Sequence, residues 1–379
     1  MDFELDQDHR VLRDTLRDFV KAEIRPRAID IDEQHRIPDD LIAKYADMGL
    51  LGSYIPESYG GAGLDILSYA IVVEEVSKAC ASSGVLISAH TSLACDPILH
   101  FGTEEQKHRW LPDLAKGRKI GAILLTEAEA GSDLANVQTS YQSDGEGFVI
   151  NGNKVFITNG GFLGTGVVLA SRDRSQKHRG LSAFIVDLSS PGVTALRNES
   201  KMGIRGSYTT AFALDSLRVP ADALLGEEGK GFRIAMASLD GGRIGIAAQA
   251  LGIAGGALER SIAYAKERKQ FGRPISALQA IQFKLADMAL RVEASRLLVW
   301  QAACRKDAGL PFSTESAMAK LHAAETAVYV TREAVQIHGG NGYVTEYEVE
   351  RMYRDAKITE IYEGTSEVQH LVIARALLS

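Results

Sequence analysis

The amino-acid sequence predicts an α+β protein in three parts: a helical domain, a mainly antiparallel β domain and a helical bundle. Its 379 residues suffice for two or three domains with large cores. Hydrophobic residues make up 45% of the chain and charged residues 24%, the balance of a folded globular protein. Helical apolar spacing marks both ends of the chain, whereas short β-rich runs fill the middle. We expect the three parts to span residues 1–119, 120–228 and 229–379.

The first part is predicted to be helical. Leu12, Leu16 and Phe19 recur at spacings of four and three, which places them on one helix face. Thr103 and Gln106 have the spacing of a capping box and predict the start of another helix. A further helix is expected at residues 83–99.

The middle part is predicted to be a barrel or sandwich of short strands. Asn151 and Gly152 stand between two apolar runs, residues 148–150 and 155–157, a pattern typical of a hairpin turn. Further β-rich runs lie at residues 166–170, 181–187 and 209–214. Because these runs are too close together for helical crossovers, the sheet should be mainly antiparallel.

The last part is predicted to contain long helices. The Ala- and Gly-rich residues 244–258 suit a helix packed closely against others. Ser276 and Gln279 form a second capping-box pattern ahead of a run ending near Ala308. Another helix should span residues 313–338 and end at two glycines. A third capping-box pattern, Ser366 with Gln369, predicts the start of the final helix.

Charge and composition exclude several classes of protein. The net charge is −7, so the basic surface of a nucleic-acid binder is not expected. Three widely separated cysteines argue against a disulfide framework and a thiolate zinc site, and no metal is expected. No apolar run reaches the roughly 18 residues of a membrane span. The acidic start lacks a charged-then-apolar leader, so we expect a cytoplasmic protein.

Familiar nucleotide motifs are incomplete. Residues 226–231 resemble a phosphate-binding loop, but no Ser or Thr follows Lys230. Residues 164–166 lack the third glycine of a dinucleotide fingerprint. Any nucleotide cofactor must therefore be held in another way.

Four segments carry residues suited to chemistry. Residues 126–133 follow an apolar run and offer hydroxyls and small residues, which let a backbone approach a flat group. Residues 156–160 place an aromatic and a hydroxyl two residues apart, on one face of a strand. Residues 336–340 end a long helix with two glycines, and residues 361–366 set an acid just before a helix. Each segment alone has an ordinary structural explanation.

Together and in this order, the four segments resemble the acyl-CoA dehydrogenase family, most closely its short-chain, butyryl-CoA dehydrogenase-like branch. The most specific motif is Ile-Tyr-Glu-Gly-Thr-Ser at residues 361–366. The resemblance implies a C-terminal four-helix bundle and an FAD-dependent enzyme that oxidises a short-chain acyl-CoA to the trans-2-enoyl-CoA. Glu363 would remove the α-proton while the β-hydrogen leaves as hydride to flavin N5. Some branches carry the base elsewhere, at the position of Gly242, which cannot act as one.

The resemblance also implies the binding residues and partners. Expected flavin contacts are Ile123, Leu124, Leu125, Thr126, Gly131, Ser132, Phe156, Ile157, Thr158, Arg268, Gln279, Gln336, Ile337, His338, Gly339, Gly340, Thr365, Ser366 and Glu367. Expected substrate contacts are Ser132, Asp240, Arg243, Tyr362 and Gly364. Electron-transferring flavoprotein would accept the electrons. The protein would be a homotetramer, a dimer of dimers, in which Arg268, Gln279 and residues 336–340 complete the flavin site of a neighbouring subunit.

Alternatives remain open at this point. An acyl-CoA oxidase or flavin monooxygenase on the same fold would react with dioxygen, although an oxidase usually carries a further C-terminal domain. Branched or cyclic acyl groups are also possible substrates. A glutaryl-type enzyme is less favoured because residues 83–99 contain no arginine. A non-catalytic flavin- or acyl-CoA-binding protein is the alternative from another class.

Overall fold

The computed structural model describes residues 4–378 and shows a helical region, a β region and a second helical region in that order. The helices of the first region are Gln7–Phe19, Ala28–Gln34, Asp39–Asp47, Ile66–Ser77, Ala81–Ser88, Asp96–Phe101 and Glu104–Ala115. A π-helical segment, Ala89–Cys95, joins two of them, so the chain is helical from residue 81 to residue 101. Within the described residues, no helix is long and apolar enough to cross a membrane.

The β region is a mixed sheet in which antiparallel pairs predominate. Its strands are Gly121–Leu124, Ser140–Ser143, Gly147–Thr158, Thr165–Ser171, Leu181–Asp187, Val193–Asn198, Thr209–Pro220 and Leu224–Leu225. Gly121–Leu124 runs parallel to Thr165–Ser171, and Ser140–Ser143 meets the same strand in parallel at one residue pair. The aromatic rings of Tyr141, Phe148 and Phe184 pack edge to face in the core of this sheet.

The second helical region packs around one long helix. Its helices are Gly231–Glu267, Gln279–Asp307, Ser313–His338, Val349–Ala356 and Ser366–Leu378, with the short strands Lys269–Gln270 and Arg273–Pro274 between the first two. Gly231–Glu267 is buried from Gly241 to Ala257, as its small-residue composition predicts. It packs against Ser313–His338 of its own region and against Ile66–Ser77 of the first region. The long helix therefore joins both helical regions.

The predicted hairpin at Asn151 and Gly152 is wrong. Both residues lie inside the continuous strand Gly147–Thr158, where the pairing with Thr209–Pro220 shifts register. Asn151 accepts a hydrogen bond from the Ser216 N–H through Oδ1. Gly152 has φ 155°, and a Cβ there would lie 2.4 Å from Thr139 Oγ1. The pair forms a β-bulge, which uses the same residue types as a tight turn.

One of the three predicted capping boxes is confirmed. Thr103 and Gln106 exchange both hydrogen bonds of the motif. The second prediction is wrong, because Ser276 lies in a 3₁₀ turn and the helix begins at Gln279. The third box is also absent, although the final helix begins at Ser366 as predicted: Thr365 Oγ1 accepts from the Val368 N–H, and the Gln369 side chain donates to the Glu363 and Gly364 carbonyls.

Ionic contacts tie the three regions together. Asp32, in the first region, accepts hydrogen bonds from Arg205 of the β region and Arg354 of the last region. Asp355 accepts from the backbone N–H of Ile204. Residues 203–207 are thus held between the two helical regions, which fixes the β region against both.

Candidate active site

Glu363 lies in a tight turn between the 3₁₀ turn Lys357–Glu360 and the final helix. Its φ is 50° and that of Gly364 is 91°, two successive residues in the left-handed region. A non-glycine residue in this region is strained by roughly 1–3 kcal/mol, and such strain clusters at functional sites. The carboxylate is held in place by the fold around it.

The carboxylate of Glu363 lies against the long helix at Gly242. A Cβ built on Gly242 would be 2.1 Å from Glu363 Oε2 and 2.8 Å from Leu93 Cδ2. Glu363 keeps an opening to solvent, but Oε2 itself is buried and has no hydrogen-bond partner among the described residues. An unpartnered buried carboxylate oxygen is costly and is free to accept a proton.

Burial of Glu363 raises the pKa of its carboxyl to about 8, while the positive charges of Lys320 and Arg243 act in the opposite direction. Arg243 is itself buried and donates to Asp240 Oδ1 at 2.5 Å. Burial also raises the pKa of Asp240, against the attraction of Arg243. A carboxyl with a pKa near neutrality is suited to general base catalysis.

Two side chains hold the turn by one carbonyl. Lys320 Nζ donates to Gly364 O at 2.7 Å, and Gln369 Nε2 donates to the same oxygen at 2.8 Å. Lys320 comes from Ser313–His338 and Gln369 from the final helix. Tyr362, next in the turn, donates its hydroxyl to Gln249 of the long helix. Three helices therefore fix the orientation of Glu363.

The loop after strand Gly121–Leu124 is held against strand Gly147–Thr158. The Val155 N–H donates to Thr126 O at 2.9 Å. Lys154 is fully buried and donates to Leu125 O at 3.1 Å and Glu127 Oε1 at 2.7 Å. Burial lowers the pKa of Lys154 to about 8, against the attraction of Glu127. Two of the segments singled out in the sequence thus lie side by side.

An open aromatic face lies beside this loop. Phe156 is 61% exposed and has φ 59°, at a second register shift of the strand. Ile157 points into the core, Thr158 is half-buried, and Gly131 and Ser132 are exposed. A Cβ built on Gly131 would meet nothing within 4 Å. A large apolar ring left uncovered next to open backbone suits stacking of a flat ligand.

The π-helical segment Ala89–Cys95 lies between the strand that leads to the loop and the Glu363 carboxylate. His90 Nδ1 accepts from the Gly121 N–H at 2.8 Å, at the start of the strand that leads to the loop. From the same segment, Leu93 lies beside Gly242 and Glu363. One segment therefore contacts both the strand that leads to the loop and the surroundings of the carboxylate.

A second group of expected flavin residues lies on the surface of the last region. Arg268, Gln279, Gln336, Gly339 and Gly340 are exposed, and a Cβ on either glycine would meet nothing within 4 Å. Ile337 is buried. His338 is also buried: its ring donates to Ala334 O and stacks on Tyr264. A ligand here would thus meet the adjacent glycines, and the contribution of this surface to a neighbouring subunit stays a prediction.

The start of the final helix offers further polar groups. Thr365 and Ser366 are half-buried and Glu367 is exposed. Ser366 Oγ is buried without a hydrogen-bond partner among the described residues. A helix N-terminus with an unused hydroxyl suits phosphate oxygens.

Sequence reasoning did not assign a supporting role to Lys320, Gln369, Lys154 or Glu127, although Glu127 lies in the segment 126–133 and Gln369 in a predicted helix cap. A signal was present for Lys320. It occupies the apolar face that Ala317, Ala324 and Ala327 form at helical spacing. A lysine on such a face needs a buried partner.

Comparison with known proteins supports one family along the chain. Sequence models of the acyl-CoA dehydrogenase N-terminal, middle and C-terminal domains match residues 6–118, 122–217 and 229–378. The short-chain specific acyl-CoA dehydrogenase of Clostridium acetobutylicum is 51% identical over 374 residues, 99% of each chain.

Solved structures agree over the full length. The butyryl-CoA dehydrogenase of Megasphaera elsdenii is 46% identical, with a TM-score of 0.98 and complete coverage of both chains. A structure reported for the electron transferring flavoprotein of Acidaminococcus fermentans contains a chain that is 48% identical, also with a TM-score of 0.98 and complete coverage. A glutaryl-CoA dehydrogenase of Mycobacterium smegmatis, solved in complex with FADH2, has 34% identity, a TM-score of 0.93, and coverage of 98% and 95%.

Proposed function

Because the chain belongs to the acyl-CoA dehydrogenase family, whose members are FAD-binding oxidoreductases, we propose that it oxidises a short-chain acyl-CoA thioester to the trans-2-enoyl-CoA, with Glu363 as the base. The observation that carries the proposal is the carboxylate of Glu363, whose Oε2 is buried, has no hydrogen-bond partner among the described residues and lies against Gly242. The relatives' short-chain and butyryl specificity supports the choice of acyl group.

The residues present fit a bound flavin. The exposed Phe156 ring offers a stacking face, Gly131 leaves the adjacent backbone open, and Ser366 Oγ lacks a partner among residues 4–378. Bound FAD accepts the β-hydrogen as a hydride. The candidate residues that hold it are the loop 126–132, residues 156–158 and the start of the final helix, with Arg268, Gln279 and residues 336–340 supplied by a neighbouring subunit.

In the proposed reaction, the protein's own residues remove the α-proton of the thioester. An α-proton of a thioester is weakly acidic, so the carbonyl needs a hydrogen-bond donor, for which we propose the Glu363 backbone N–H. The carboxylate takes the proton, and its raised pKa makes it a stronger base than an exposed glutamate. Asp240 and Arg243, on the same helix as Gly242, are proposed to bind the CoA portion.

The electron acceptor and assembly are part of the proposal. A chain this similar occurs in the structure reported for an electron transferring flavoprotein, which supports such a protein as the acceptor here. The expected flavin contacts Arg268, Gln279, Gln336, Gly339 and Gly340 are exposed, which supports a flavin site shared between neighbouring subunits. We propose that the assembly is a homotetramer.

The test is anaerobic bleaching of the bound flavin by acyl-CoA thioesters of increasing length. We expect butyryl-CoA to reduce the flavin fastest, and the rate to rise with pH up to about 8 because only the ionised Glu363 accepts a proton. Glu363→Gln should retain the flavin and lose at least about 100-fold in reduction rate. Glu360→Gln, three residues earlier, is the matched control and should reduce normally. Normal bleaching of Glu363→Gln would contradict the base assignment, and rapid reoxidation by dioxygen during turnover would indicate an oxidase.

A further inference from the structure

Lys320 is a buried lysine next to the proposed base that no motif accounts for. Its side chain is fully buried on the inner face of Ser313–His338, beside Ala317 and Ala324. Its hydrogen bond goes to the backbone carbonyl of Gly364, at 2.7 Å, rather than to a carboxylate. Burying an ammonium group costs several kcal/mol unless something compensates. The ammonium group of Lys320 thus binds the residue that directly follows Glu363.

We propose that Lys320 is a positioning residue for the dehydrogenation, one that holds the turn through the Gly364 carbonyl and supplies the positive charge that keeps the Glu363 carboxylate ionised. This inference rests on the proposed function, since it assigns Lys320 a role through the base. Lys320 does not need to touch substrate or flavin.

The charges around the pair support this assignment. Lys320 interacts electrostatically with Glu363, Glu360 and Glu367, which favour its charge, and with Arg243 of the long helix, which opposes it. Burial lowers the pKa of Lys320 to about 8, and the neighbouring Glu363 counteracts that effect.

Around Glu363 the charged neighbours are Lys320 and Arg243, while the hydroxyls of Tyr69 and Tyr362 stay neutral because burial raises their pKa. Arg243 is already paired with Asp240. Lys320, in contrast, donates its hydrogen bond to a backbone carbonyl. Its charge is therefore not neutralised by a hydrogen-bonded carboxylate.

The two effects of Lys320 can be separated because Gln369 shares one of them. Gln369 Nε2 donates to the same carbonyl at 2.8 Å and carries no charge. Loss of Gln369 should loosen the turn only, whereas loss of Lys320 should loosen it and remove a positive charge.

The experiment compares Lys320→Met, Lys320→Gln and Gln369→Met as flavin-loaded proteins. Anaerobic reduction by butyryl-CoA is measured across pH, and the protonated carboxyl band of Glu363 is followed by infrared difference spectroscopy against Glu363→Gln. We expect both Lys320 variants to move the rising limb of the rate and the infrared titration to higher pH by about one unit, about tenfold in rate at a fixed pH below the limb. Gln369→Met should lower the rate without moving either titration.

Coincidence of the Lys320→Gln and wild-type titrations would overturn the proposal, and so would an equal shift in Gln369→Met. Lys320→Gln keeps a donor for the carbonyl, so it serves if Lys320→Met does not fold. Failure of the proposed function looks different, because the wild-type protein would then not bleach with butyryl-CoA, or Glu363→Gln would bleach normally.

Discussion

Substitution of Gly242 by alanine is the most direct test of where the carboxylate of the proposed base, Glu363, lies. A Cβ at this residue would be 2.1 Å from Glu363 Oε2, while ordinary contacts begin near 3.4 Å. The carboxylate would therefore have to retreat by about 1.3 Å. Because a misplacement of about 1 Å can lower an enzymatic rate about 100-fold, we expect Gly242→Ala to lose at least about 100-fold in flavin reduction.

Gly255→Ala is the matched control on the same helix. A Cβ there would meet Lys78 Cε at 3.4 Å, an ordinary contact. Both substitutions gain up to about 1 kcal/mol in helix propensity, but only Gly242→Ala is expected to offset that gain by overpacking, which typically costs about 1–3 kcal/mol. Gly255→Ala should thus melt no lower than the wild type and reduce at the same rate.

The assay is stopped-flow bleaching of the flavin by butyryl-CoA under anaerobic conditions, with thermal melting of the same samples. A normal reduction rate in a folded, flavin-loaded Gly242→Ala would refute the proposed position of the base. It would mean that the Glu363 carboxylate does not act from its place against Gly242. A similar loss of rate in Gly255→Ala would refute it as well, by tracing the effect to the helix rather than to the contact.

Two further predictions concern the flavin-side residues. Lys154→Met leaves Glu127 buried without its cation and should lower the free energy of unfolding by about 3–5 kcal/mol in chemical denaturation. The double variant Lys154→Met with Glu127→Gln should recover part of that loss. If it recovers none, the loss of the ion pair is not the cause. Phe156→Ala removes an exposed ring, so the melting temperature of the flavin-free protein should not change. Flavin binding, measured by fluorescence titration, should weaken by about 0.5–1.5 kcal/mol. An unchanged flavin affinity would exclude stacking on Phe156.

Helices were the more predictable part of the fold. The span of Ser313–His338 is confirmed at both ends, because its apolar spacing is regular and two glycines follow it. Asn151 and Gly152 misled because a bulge and a hairpin turn select the same residues. Whether the strand turns back there depends on Ser216 and Thr139, which are distant in the sequence.

The site divides in the same way. Motifs in the sequence pointed to Glu363 and the segments around Phe156, since these residues carry the resemblance to the family, and their roles stay predictions. The residues that hold them in place reach across the fold: Lys320 lies 44 residues from Gly364, and Lys154 lies 27 residues from Glu127. A local pattern contains no information on such pairs, and Gln369 even has the spacing of a helix cap while serving the turn instead.

The ion pairs of Asp32 with Arg205 and Arg354, and the hydrogen bond from the Ile204 N–H to Asp355, bear on how the molecule unfolds. Each contact joins residues more than 140 positions apart and spans two of the three regions. If one region opened, buried charged and backbone groups of another would lose their partners. Opening of one region should therefore destabilise the others, so we expect their unfolding to be coupled. Because the proposed base, Glu363, lies in the same C-terminal region as Arg354, activity and global structure should be lost together on heating.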